Sequence, residues 1–163
     1  MRYLFAVSPF LLLIAPLVVN AAEYPKGHRA LEVFDAQGME ATPPWVMAWI
    51  VASTICFVAG LCFVRRHSVA RWVLGCYAAG FAVLVASAVF DSDQLRLAGF
   101  NALIHVLFWP PALFQLLTKR PFLDKPVTAF SIWSGLITGI ILFSYIFDIP
   151  YSATYLKHVF MEH

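Results

Sequence analysis

The sequence predicts an all-α, polytopic integral membrane protein: a bundle of four transmembrane helices preceded by a signal peptide. Five transmembrane helices are the alternative if the first segment is retained. Three observations predict this. Four charge-free apolar stretches, Ala41–Val64, Trp72–Phe90, Leu97–Thr118 and Pro126–Phe147, fill residues 41–147 almost completely. Stretches of about 20 residues match a hydrocarbon core about 30 Å thick at 1.5 Å per helical residue. Only 12% of the 163 residues are charged while 61% are hydrophobic, against about 25% charged in a soluble domain. With a mean hydropathy of +0.79, the chain has too little polar surface to build a water-facing exterior. Finally, the charges of this region sit in short loops that alternate in character, as threading through a bilayer requires.

Along the chain, Arg2 precedes the apolar run Tyr3–Val19, and Val19 and Ala21 occupy the −3 and −1 positions of a small-residue cleavage site. Residues 1–21 therefore read as a removed signal peptide, with a retained N-terminal helix as the rival. Residues 22–43 form an outer segment in which His28–Gln37 is a candidate short helix ended by Gly38. Thr42-Pro43-Pro44 stops any helix there, and Trp45 and Trp49 suit the membrane interface. Four spans follow, at 44–64, 72–90, 98–118 and 127–147.

Orientation follows from the loops. Arg65, Arg66 and Arg71 flank the first connection, Lys119, Arg120 and Lys125 the third, while Asp91 and Asp93 make the second acidic on balance. By the positive-inside rule the basic loops are cytoplasmic, and both mature termini lie on the outer side, the periplasm of a bacterial inner membrane. The tail, residues 148–163, is expected to leave the membrane at Ile149-Pro150. Tyr151, Tyr155, Leu156 and Val159 share one side of it, which suits a helix lying on the membrane surface.

Helix association in lipid depends on close approach of small residues. Candidate packing lines are Ala48, Ala52, Cys56 and Gly60 on the first span and Ala78, Ala82 and Ala86 on the second. The fourth carries Ser131, Gly135 and Gly139. The cysteines Cys56, Cys62 and Cys76 fall in spans without Cys-x-x-Cys spacing, so packing is their expected role.

The third span alone carries a polar line. Asn101, His105 and Trp109 stack at four-residue intervals, and Pro110 and Pro111 then remove two helical hydrogen bonds and predict a kink. His105 is the only ionisable side chain well inside a span. Asp91 and Asp148, at the outer ends of the second and fourth spans, and Tyr145, one turn below Asp148, fall at a comparable depth. Asn101, His105, Tyr145, Asp91 and Asp148 are thus a candidate intramembrane polar site. The simpler reading is a histidine hydrogen-bonded to the next helix; ion handling, or binding of haem, metal or quinone, is the sharper one.

Several chemistries are poorly supported. The outer loops lack redox cysteines, the spans lack an internal carboxylate for proton exchange, and the metalloprotease and serine-protease motifs are absent. A net charge of +2 is no nucleic-acid signature. The expected function is a non-enzymatic subunit or assembly partner of an inner-membrane complex, in contact with lipid, other subunits or a second copy. The alternative is a small transporter, channel, or haem- or quinone-binding carrier built around His105. No catalytic residue, metal site or cofactor is expected under the first of these.

Overall fold

The computed structural model describes residues 30–31, 42–89, 95 and 97–161. The signal segment, the candidate helix at 28–37 apart from Ala30 and Leu31, and Asp91 lie outside the described residues. Among those described, the chain is helical apart from its connections, with no strand. Its elements are α1 (Pro44–Ala59) with a 3₁₀ turn (Gly60–Cys62), α2 (Ser68–Val89), α3 (Ala98–Phe108), α4 (Pro110–Lys119), a second 3₁₀ turn (Pro121–Leu123) and α5 (Ala129–Met161).

Three stretches are long and apolar enough to cross a membrane: Pro44–Cys62, Ser68–Ser87 and Ala129–Met161. The pair α3 and α4 makes a fourth if it counts as one span, bent by 42°. The bend falls where two consecutive prolines deny donors to the preceding turn. Trp109 sits in the break, donating its N–H to the His105 carbonyl and accepting from Leu113.

The helices run antiparallel in sequence order. Lys119 Nζ, at the end of α4, donates to Ser68 Oγ at the start of α2 over 2.9 Å. The His67 ring stacks on Phe130 at the start of α5, with centroids 3.6 Å apart. The first and third loops thus meet at one end of the bundle, hereafter the basic end. His67, which the sequence suggests is a solvated loop residue, is instead half-buried against an aromatic wall.

Helix α5 is the central element. It opens on a reciprocal cap: Thr128 Oγ1 accepts from Ser131 N–H (3.1 Å), and Ser131 Oγ accepts from Thr128 N–H (2.7 Å). That is the logic of a capping box, with serine in the place of glutamate. At Ile149-Pro150, where the tail is expected to leave the membrane, the helix does not end: α5 continues through Pro150 for 33 residues in all, about 50 Å at 1.5 Å per residue. Ser152 and Thr154 hydroxyls bond back to the carbonyls of Asp148 and Pro150 in the turn weakened by the proline. Tyr155 and Ser152 are buried, so the tail is held by packing on α3 rather than by the membrane surface alone.

The core lies between α2, α4 and α5. It holds Val69, Ala70, Val73 and Cys76 of α2, Ala112 and Leu116 of α4, and Phe130, Trp133, Ile137, Ile140 and Ile141 of α5, closed by Phe57 and Trp109. Cys56 is half-buried, Cys62 exposed and Cys76 buried, and all three are free thiols. The small-residue lines follow sequence spacing less well. Gly60 is buried against Trp133 and Leu74, and Gly135 approaches Phe122 of the second 3₁₀ turn; Gly139 is half-buried. Ala48, Ala52, Ala78, Ala82 and Ala86 all face outward. The packed side of α2 runs instead through Val69, Val73, Cys76 and Gly80: the first three gain more dispersion contact than alanines could, and Gly80 lets Ile104 of α3 come close.

At Gly99 the close approach is real. A Cβ there would stand 2.6 Å from Tyr155 Cβ and 2.8 Å from the Ala30 carbonyl oxygen, which accepts the Gly99 N–H. At Gly75 nothing lies within 4 Å. Gly99→Ala should therefore cost about 1–3 kcal/mol through backbone displacement, while Gly75→Ala should be neutral or gain about 0.5–1 kcal/mol from helix propensity. Thermal midpoints of the two variants in mild detergent check this. Equal midpoints would mean that α5 does not press on Gly99.

Candidate functional site

The site grows from three helical rows meeting at the end of the bundle opposite the basic end. On α3, Asn101 and His105 lie one turn apart on the side facing α1 and α5. On α1, Trp45 and Trp49 repeat at the same spacing. On α5, Phe143, Phe147 and Tyr151 form an aromatic row beside a polar one, Ser144 and Asp148. These residues, with Thr42, Val46, Ile50, Ala98 and Ala102, line a cleft of about 160 Å³.

Its polar element is one interhelical bond. His105 Nδ1 and Asp148 Oδ2 are 3.0 Å apart, with side-chain exposures of 29% and 14%. With Asp148 as the carboxylate and the imidazole neutral, the carboxylate oxygen accepts, Nδ1 carries the proton and Nε2 keeps its lone pair. The imidazole is fixed a second time by stacking on Trp109, with centroids 4.1 Å apart and planes 17° from parallel. Asp148 and Trp109 together hold the ring by one edge and one face. Among the described residues no group donates to Nε2.

The walls are aromatic and ordered among themselves. Trp49 meets Phe143 edge to face at 4.7 Å, and Phe143 meets Phe147 likewise at 5.4 Å. Such edge contacts leave ring faces for a third aromatic group.

Of the candidate residues, the structure brings Asn101, His105 and Asp148 to one cleft. Tyr145 stands behind it, its ring 6.4 Å from that of Trp109 and packed on the core. Its hydroxyl is buried and finds no hydrogen-bond partner among the described residues. Pro110 and Pro111 set the bend just beyond His105. No group of three or more metal-ligating side chains occurs among the described residues. The aromatic rows escaped the sequence reading, although Phe143, Phe147 and Tyr151 share the four-residue spacing that marked Asn101 and His105. Their signal is hidden because aromatic residues are common everywhere in this chain, at 16%.

A larger groove of about 490 Å³ opens between α2 and the α3–α4 bend, past Arg71, Trp72, Gly75 and Ala79. It carries no comparable convergence of polar groups. No protein-family model, curated protein or solved structure matches this chain.

Proposed function

We propose that the chain is a non-enzymatic integral membrane subunit or accessory protein of a bacterial inner-membrane complex. Its working part is the cleft at His105 and Asp148, which holds a small amphipathic molecule drawn from the membrane. The signal segment is removed, the bent pair α3–α4 serves as one span, and the basic end faces the cytoplasm. The cleft then opens in the outer leaflet and both mature termini are periplasmic. Support for this threading comes from the two basic loops sharing one end of the bundle.

The observation that carries the binding role is where the polar pair lies. His105–Asp148 stands at the floor of an aromatic cleft rather than inside the packed core. Intramembrane polar groups in such places commonly mark a ligand path. A volume of 160 Å³ suits one ring, and a porphyrin macrocycle is far larger, which favours the quinone-like alternative over haem.

The subunit role draws on the outward rows. Ala78, Ala82 and Ala86 repeat every fourth residue on an exposed side of α2, as do Ala48 and Ala52 on α1. Such small-residue rows let a further helix approach closely, whether from another protein or from a second copy. The test is copurification from mild detergent at native abundance, comparing the wild type with Ala82→Leu. Defined companions, or a second copy, should be retained by the wild type and lost in the variant at unchanged abundance. A chain that runs alone in both cases overturns the subunit reading.

A further inference from the structure

Resting on that binding role, we propose the class of molecule the cleft takes: a neutral aromatic ring bearing a hydroxyl, a phenol or hydroquinone head on an apolar tail. Its hydroxyl donates to His105 Nε2. Four features of the site converge on this chemistry.

The first is the direction of the hydrogen bond. With Nδ1 committed to the Asp148 carboxylate at 3.0 Å, the remaining nitrogen of a neutral imidazole is an acceptor and calls for a donor. A quinone or ester carbonyl offers only lone pairs and would meet lone pair with lone pair. Secondly, charge narrows the choice. An anionic head would face the Asp148 carboxylate at close quarters, and a cationic head would have to give up its water inside an aromatic cleft for a carboxylate whose Oδ2 already accepts from His105. A neutral donor meets neither objection.

Size and walls supply the remaining two features. The cleft measures about 160 Å³, close to the roughly 150 Å³ of an apolar protein cavity that holds one benzene. Trp45, Trp49, Phe143 and Phe147 surround that space and offer the faces and edges that a ring packs against. Ile50 lines the cleft and is itself 38% exposed. An apolar tail can therefore leave past Ile50 and lie along the exposed Val51 and Ile55 side chains of α1. Asn101, one turn from His105, adds a donor and an acceptor for a second ring substituent, which a hydroquinone has and a simple phenol lacks.

The deciding experiment uses the purified full-length protein in lipid nanodiscs, titrated with para-decylphenol and with para-decylanisole. These differ in whether the ring oxygen carries a hydrogen or a methyl group. Binding is read from tryptophan emission, since Trp45 and Trp49 line the cleft, and corrected for partition into empty nanodiscs. The phenol should bind about tenfold more tightly than the ether, the usual penalty for leaving one sheltered acceptor unpaired. His105→Phe should abolish the preference while retaining the ether's affinity. Asp148→Asn preserves an acceptor for Nδ1 and should keep the preference with an intact fold, so loss of structure in the phenylalanine variant cannot hide the answer.

If phenol and ether bind equally well and both lose affinity in Trp49→Ala, the cleft is a binding site but the hydroxyl inference is wrong. A preference that survives His105→Phe also overturns it. If neither compound binds the wild type, the binding role itself falls.

Discussion

Trp133→Ala should lower stability by about 3–5 kcal/mol, the range for removing a large aromatic side chain from a packed core. Trp133 is 4% exposed and reaches across the bundle from α5 to α1, where its indole Nε1 donates to the Cys56 carbonyl over 2.8 Å. The need for that donor arises from how α1 ends. The helix tightens into a 3₁₀ turn at Gly60, whose N–H goes to the carbonyls of Phe57 and Val58 instead of to Cys56, four residues back. In hydrocarbon no water can serve the carbonyl left over. The indole does so.

Trp133→Phe separates the two contributions. It keeps most of the ring volume but removes the donor, and should cost about 1–3 kcal/mol, the penalty for a buried acceptor left unmatched. Gly60→Ala presses on the same contact from the other side, since its Cβ would stand 2.7 Å from Trp133 Cζ2. A tryptophan tethered through its nitrogen cannot swing away from the intruding methyl. Unfolding in mixed detergent and dodecyl sulfate, followed by tryptophan emission, ranks the variants. If Trp133→Phe matches the wild type, the Cys56 carbonyl has another donor.

How far the sequence foretells this arrangement depends on which physical signal each feature leaves. The apolar stretches and the bend at Pro110-Pro111 are legible because span length and proline chemistry are local properties of the chain. So is the polar line Asn101–His105, since a polar residue in an apolar stretch stands out against its background. The partner of His105 is named among several candidates, but its bond to Asp148 depends on the lateral register of α3 against α5, which no local pattern encodes. For a similar reason, spacing does not say which neighbour the small-residue lines meet. Spacing marks Ala78, Ala82 and Ala86 as a packing side, whereas the bundle turns Val73, Cys76 and Gly80 inward. Several helix sides were compatible with the apolar composition, and three-dimensional fit chose among them. The continuation of α5 through Pro150 shows the converse case, where packing of Ser152 and Tyr155 overrides a local stop signal.

A double-mutant cycle on His105 and Asp148 should yield a coupling free energy of about 1–2 kcal/mol, at the upper end for interhelical hydrogen bonds in membranes. Two features place it there. The imidazole is fixed by Trp109 before it meets the carboxylate, so little side-chain freedom remains to be lost on forming the bond. The acceptor is sheltered from solvent, with 14% of its side chain exposed, which weakens competition from water. The single variants should differ in size. Asp148→Asn retains an acceptor for the Nδ1 proton and should cost under about 1 kcal/mol, within the range of a neutral hydrogen bond. His105→Phe leaves the carboxylate facing an apolar cleft, where it must take up a proton or draw in water, so this variant should be the costlier one. Asp148→Leu is the second single variant of the cycle; in the Asp148→Leu, His105→Phe double the unpaired carboxylate is gone, and the loss should be smaller than the sum of the Asp148→Leu and His105→Phe losses. Four unfolding midpoints in mixed detergent give the answer. Strict additivity would mean that the two side chains do not share a bond, and with it would go the argument that His105 Nε2 is held ready for a ligand.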